Sequence, residues 1–158
     1  MRQLFQQPEY IHVLLNPIPI YGLILASVGL VLALIMRSRP AQIVALVLVF
    51  LSAAAAGPVA YFGEKAYDRI SEMADNDGRE WLETHEHRGE DLMYFFYGLA
   101  LLSLAALFIP KKWPRTALPL AVATLLLAIV CAGVGSYIAD AGGKIRHREF
   151  RTAPPPEK

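Results

Sequence analysis

Histidines are the residues of this sequence best suited to bind a cofactor. Two of the four, His85 and His87, lie in a polar segment, residues 63–91, that also holds ten of the fourteen acidic residues. The other two, His12 and His147, lie towards the ends of the chain. A b-type haem is held by neutral imidazoles, usually from different helices, in an apolar pocket. All four histidines are therefore candidate haem ligands, and we expect the pair to be His12 with His87 or His87 with His147.

A metal site is a second interpretation of the same polar segment. Glu83 and His87 are four residues apart, so they share one face of a helix, and Glu90 continues that face. Mixed carboxylate and imidazole ligands suit zinc, iron or manganese. A solvated acidic helix face has the same spacing. The sequence leaves both interpretations open.

Long apolar segments must position these side chains. A helix needs about 20 residues to cross a hydrocarbon core of about 30 Å, and four segments have about that length without a charged residue. Together they predict an all-α, integral membrane, antiparallel four-helix bundle that forms one domain over residues 1–158. The four segments are 18–36, 41–62, 92–109 and 116–138.

The polar segment 63–91 continues the helical pattern beyond the second apolar segment. Residues 76–78, Asn-Asp-Gly, are typical of a turn. The segment is therefore predicted to form a helical hairpin outside the membrane. Glycines 142 and 143 favour an end to the last helix, and the proline-rich residues 152–158 are predicted to form a flexible tail.

Membrane orientation follows from the two short connections between apolar segments. They carry five basic residues and no acidic residue, which is typical of cytoplasmic loops. The termini and the acidic hairpin are then predicted on the opposite, periplasmic side. With four spans, all four histidines lie on that side. The basic residues are Arg37, Arg39, Lys111, Lys112 and Arg115.

Three short motifs resemble the bacterial domain-of-unknown-function 2231 family. They are His-Val-Leu-Leu-Asn-Pro-Ile-Pro-Ile at 12–20, His-Arg at 87–88 and Gly-Gly-Lys-Ile-Arg-His at 142–147. The resemblance spans most of the chain. It implies a small four-helix protein of the bacterial inner membrane, with histidines near the outer helix ends and with electron-transfer or haem-containing partners.

The family motifs carry over residue by residue. The first-motif histidine corresponds to His12, the double glycine to Gly142 and Gly143, and the terminal histidine to His147. The first motif also carries over its proline, Pro19. Its second histidine is replaced here by Pro17, which argues against a two-haem arrangement.

Other functional classes find less support. The net charge of +1 comes from scattered basic residues, which does not indicate nucleic-acid binding. No glycine-rich phosphate loop, nucleophile elbow or His-Glu-x-x-His motif is present, so the sequence does not indicate an enzyme. The spans lack the ionisable groups that couple transport. The single cysteine, Cys131, lies in the fourth span and has no intramolecular disulfide partner.

These observations predict a membrane redox accessory protein. It would bind haem b through some of its four histidines and exchange electrons with a membrane or periplasmic redox partner. The alternatives are a cofactor-free structural or assembly subunit of a larger membrane complex, and a metal-binding hairpin.

Overall fold

The structure is a computed structural model that describes residues 4–155, and within that range it is helical without any strand. Short 3₁₀ turns and one π-helical turn, Ile18–Gly22, connect six α-helices. The helices are α1 (Pro8–Leu15), α2 (Leu23–Ile35), α3 (Arg39–Ala54), α4 (Ala56–Met73), α5 (Asn76–Phe108) and α6 (Ala117–Arg146). The all-α prediction is confirmed.

Successive elements join into four long helices that are apolar enough to cross a membrane. Each contains one of the apolar segments predicted above, to within one residue, and most extend well beyond it. By length and composition these are the helices of a multi-pass membrane protein. They run over Pro8–Ile35, Arg39–Met73, Asn76–Lys111 and Pro114–Arg146.

The core lies between four of the helices, because α2 and α5 each contact both α3 and α6. Small side chains in the core allow these helices to approach closely. One layer of the core is built around Leu23, Val49, Phe96, Leu99 and Cys131. The other layer is built around Leu30, Ala45, Leu46, Ala106 and Ala121. Many other large apolar side chains point outwards, as lipid-facing positions require.

The second long helix is interrupted at Ala55, between α3 and α4. Pro58 explains the interruption, because it has no N–H to donate to the carbonyl of Ala54, four residues earlier.

The break in the polar segment lies earlier than the predicted turn at residues 76–78. It falls at Ala74 and Asp75, and Asn76 already begins α5. The reason is helix capping. Asp75 is the N-cap residue, and its Oδ1 accepts a hydrogen bond of 2.8 Å from the N–H of Gly78. Residues 76–78 therefore form the first turn of a helix.

The last helix also differs from its predicted end at the double glycine. Helix α6 continues through Gly142 and Gly143 to Arg146, and no glycine in residues 4–155 has a positive φ. These glycines act through their small size, since a Cβ on Gly142 would lie 3.0 Å from Cε1 of His85.

The segment after α6 folds back onto the start of α5. The Arg151 guanidinium binds both carboxylate oxygens of Asp75, at 2.9 and 3.0 Å, and donates to the carbonyls of Lys144 and Ile145. Arg151 and the Gly78 N–H hold the pKa of the Asp75 carboxyl well below its usual range. Beyond Arg151, residues 152–155 are not helical. The remainder of the predicted flexible tail, 156–158, lies outside the described residues.

Candidate functional site

His12 is held against α4 by its imidazole. Its Nδ1 lies 2.8 Å from the carbonyl oxygen of Val59. A carbonyl can only accept a hydrogen bond, so Nδ1 carries the proton and, in the neutral ring, Nε2 keeps its lone pair. Glu9, one turn earlier on α1, forms an ion pair of 2.6 Å with Arg69 of α4. Two polar contacts therefore fix α1 on α4.

Gly63 explains why the imidazole can reach a carbonyl that already lies within a helix. Helical side chains tilt towards the N-terminus, so a side chain at position 63 would cover the carbonyl of Val59. Gly63 leaves it open. A Cβ at this position would lie only 3.0 Å from Cε1 and Nδ1 of His12.

His85 repeats this arrangement with α5 and α6. Its Nδ1 donates to the carbonyl oxygen of Ile138 at 2.8 Å. Gly142, four residues after Ile138, faces the ring, and a Cβ there would lie 3.0 Å from Cε1 and 3.1 Å from Nδ1. Each histidine thus uses the same pair of partners: the carbonyl of one helical residue and a glycine one turn later.

The two imidazole rings lie next to each other in a T-shaped arrangement. Their ring centres are 6.1 Å apart, and the ring planes are nearly perpendicular, at 86°. His12 comes from the first half of the chain and His85 from the second. We call these two rings, with Val59, Gly63, Ile138 and Gly142, the histidine pair site.

The surroundings disfavour the protonated form of His85. His85 lies before the apolar segment 92–109, and burial lowers its pKa below the ordinary value. The hydrogen bond to Ile138 acts in the opposite direction, while the nearby His12 and Arg88 lower the pKa further. A neutral imidazole whose Nδ1 is occupied can offer Nε2 to a metal, and backbone carbonyls commonly orient metal-ligating histidines in this way.

Arg88 fixes α5 to α6 next to the site. Its Nη1 donates to the carbonyl oxygen of Tyr137 at 2.9 Å, and its guanidinium lies 3.8 Å from the centre of the Tyr137 ring. Asp140 lies 3.7 Å from the same nitrogen and also pairs with Lys144 at 2.7 Å. The helix that carries His85 is therefore anchored within one turn of this residue.

Acidic residues lie near the pair. Burial raises the pKa of Glu86, and the negative charges of Glu90, Glu64 and Glu83 raise it further. These carboxylates come from both α4 and α5. The polar segment thus presents concentrated negative charge next to the histidine pair site.

The structure places the other two predicted ligands in exposed ion pairs. His87 is directed to the surface, with Nε2 3.2 Å from the carboxylate of Asp91. His147 lies after α6, with Nδ1 2.9 Å from the Glu149 carboxylate and its ring stacked on Phe150 at 4.8 Å. Of the four predicted ligands, His12 and His85 are the two whose rings contact each other.

The alternative metal set is not assembled. Within residues 4–155, no group of three or more His, Cys, Asp or Glu side chains is arranged to hold a metal ion. Glu83, His87 and Glu90 share a helix, but α4 does not complete a coordination sphere around them.

Sequence reasoning missed Val59, Gly63 and Ile138. A signal for them is nevertheless present, because residues 59–65 read Val-Ala-Tyr-Phe-Gly-Glu-Lys and residues 138–144 read Ile-Ala-Asp-Ala-Gly-Gly-Lys. Both fit the pattern Val/Ile-Ala-x-x-Gly-x-Lys. A search for internal repeats would have found the two carbonyls and the two glycines that face the histidines.

Comparisons with protein-family models, with curated proteins and with solved structures give no match for this chain.

Proposed function

We propose that this protein binds a b-type haem between His12 and His85 and serves as an electron-transfer accessory subunit in a membrane. The repeated arrangement of histidine, carbonyl and glycine carries this proposal. The two halves of the chain would supply one imidazole each, and each ring is held by the same kind of carbonyl and glycine contact. The resemblance of the sequence motifs to the domain-of-unknown-function 2231 family also supports it.

The ring centres of His12 and His85 are 6.1 Å apart, so a group bound between them would contact both imidazoles. The bound haem would supply one-electron chemistry. His12 and His85 would hold it, and their Nδ1 hydrogen bonds would orient the rings.

The finer architecture is part of the proposal. We infer an antiparallel four-helix bundle whose polar segment, residues 63–91, projects from the bacterial inner membrane as a helical hairpin. The acid-free, basic connections support a cytoplasmic location for that end of the bundle. The hairpin, the termini and the histidine pair site would then be periplasmic.

The partner we propose is a membrane or periplasmic redox protein that docks on the polar segment. Ten acidic residues lie in this segment, and several of them adjoin His85. Complementary charge accelerates association of such partners. A basic surface around the cofactor of the partner would fit this face.

The test is a reduced-minus-oxidised visible spectrum of the protein, expressed with haem supplied and purified in detergent. We expect a sharp alpha band and about one haem per chain. The control is the double variant His12→Ala/His85→Ala, purified from the same haem-replete cells. If the native protein folds and remains monodisperse but carries no haem, the proposal is overturned. The cofactor-free structural subunit then remains as the function.

A further inference from the structure

The connections between α2 and α3 and between α5 and α6 meet at one end of the bundle. Arg39 joins them, since its Nη2 donates to the carbonyl oxygen of Ala106 at 3.2 Å and its Nη1 to Oε1 of Gln42 at 3.3 Å. We call this surface the basic end. Its five basic residues are Arg37, Arg39, Lys111, Lys112 and Arg115.

The basic end has no acidic counterpart in the neighbouring sequence. Residues 10–63 and 92–139 contain no Asp or Glu, and these two stretches supply both connections and the helix ends around them. Five positive charges are therefore left without a carboxylate from these stretches. Their counterions must come from the surroundings of the protein.

Arg37 occupies a backbone position that favours glycine. Its φ is +52°, and it closes α2 with two hydrogen bonds, from Ser38 N–H to the Ala33 carbonyl and from Arg37 N–H to the Leu34 carbonyl, each 3.1 Å. This is a Schellman motif with arginine at the left-handed position, where a Cβ is unfavourable. A strained residue indicates a role outside the stability of the helix, and the distinguishing property of this one is its charge.

Aromatic rings accompany the lysines of the basic end. The Lys111 ammonium lies 4.6 Å from the ring centre of Phe108, and the Lys112 ammonium lies 5.0 Å from that of Trp113. Both rings are more than half exposed, at 57% and 55%. Aromatic and basic side chains at the ends of apolar helices are typical of the layer where lipid headgroups lie.

We propose that the basic end binds the phosphate groups of anionic phospholipids. The charge, the exposed aromatic rings and the strained Arg37 all fit a headgroup that is negative and lies at the end of an apolar segment. Each basic residue near an anionic membrane surface strengthens binding about fivefold. The inference is independent of the histidine pair site and of haem.

The experiment uses the detergent-purified full chain titrated with phosphatidylglycerol or phosphatidylcholine in mixed micelles. Lipid retention is measured by native mass spectrometry and stability by thermal unfolding. We expect selective retention of phosphatidylglycerol and a higher unfolding temperature with it. Arg37→Gly should raise the unfolding temperature in phosphatidylcholine, because glycine relieves the positive φ, and should weaken phosphatidylglycerol binding about fivefold.

A double variant and a matched control complete the design. Lys111→Gln/Lys112→Gln should weaken phosphatidylglycerol binding about 25-fold, by the same rule applied twice. Lys65→Gln/Arg146→Gln removes two exposed basic residues outside the basic end and should leave binding unchanged. Equal retention of both lipids, or an equal loss in the control, would overturn the proposal. A rise in unfolding temperature with inorganic phosphate but not with phosphatidylglycerol would also overturn the proposal. The basic end would then bind a soluble anion.

Discussion

The imidazole rings of His12 and His85 lie next to each other, with their centres 6.1 Å apart and their planes at 86°. They reach this position from separate halves of the chain. Each ring donates from Nδ1 to a helical carbonyl at 2.8 Å, and each lies against a glycine. The relationship predicts how substitutions, pH and spectroscopy will report on the site.

Gly142→Ala should weaken haem binding about fivefold. The added Cβ would lie 3.0 Å from Cε1 of His85, so the ring must tilt and lengthen its hydrogen bond to Ile138. A lost hydrogen bond costs about 1 kcal/mol, which is about fivefold in affinity. Haem titration of the purified apoprotein measures the effect.

Gly89→Ala is the matched control for that substitution. Gly89 also lies in a helix, one turn after His85, and a Cβ there meets nothing within 4 Å. It should leave haem affinity unchanged and stabilise the helix by about 1 kcal/mol. If both alanine variants lost haem equally, the contact between Gly142 and His85 would not be the cause.

Stability should fall as the pH drops below about 6.5, the ordinary pKa of histidine. Burial lowers the pKa of His85 in the folded protein, so the unfolded chain binds a proton first and unfolding is favoured. Glu86 acts with the opposite sign, since its pKa is raised. Thermal unfolding of the apoprotein between pH 8 and pH 5 should show a shallower decline for His85→Gln than for the native chain.

His147→Gln is the control for the pH series. His147 pairs with Glu149 at the surface, outside the histidine pair site. Its substitution should keep the steep decline of the native chain below about pH 6.5. A His85→Gln profile that coincides with the native profile would show that protonation of this ring does not limit stability.

Electron paramagnetic resonance of the oxidised, haem-loaded protein should give a low-spin signal, because His12 and His85 would both hold the iron. A high-spin signal would contradict ligation by both rings.

Arg151→Gln should release the segment that follows α6. Arg151 binds the Asp75 carboxylate and two carbonyls at the end of α6, and glutamine cannot make all these contacts. We expect the unfolding temperature to drop by several degrees and chymotrypsin to cleave faster after the exposed Phe150. Arg146→Gln, at an exposed position, should change neither property.

Hydrophobicity predicted the membrane helices well and their ends less well. The segment 92–109 was recognised because it is apolar, but its helix begins at Asn76. Backbone hydrogen bonding continues where the side chains become polar, so the limit of the apolar segment does not mark the end of the helix. The break at Asp75 depends on a cap and on Arg151, which approaches from a distant part of the chain.

The sequence identified His12 and His85 as candidate ligands but did not pair them. Their contact requires α1 to pack on α4, which Glu9, Arg69 and the Val59 carbonyl determine. Such contacts between distant segments leave no periodic pattern. The double glycine was interpreted as a helix end, although Gly142 lies within α6 and faces the His85 ring.

The most direct test of the central proposal is the haem content of four single variants purified from haem-replete cells. His12→Ala and His85→Ala should each abolish the alpha band of the reduced protein, because each removes one of the two side chains that would hold the haem. His87→Ala and His147→Ala should retain about one haem per chain. The assignment of the histidine pair site would be contradicted if His87→Ala or His147→Ala lost the alpha band while His12→Ala or His85→Ala still bound haem.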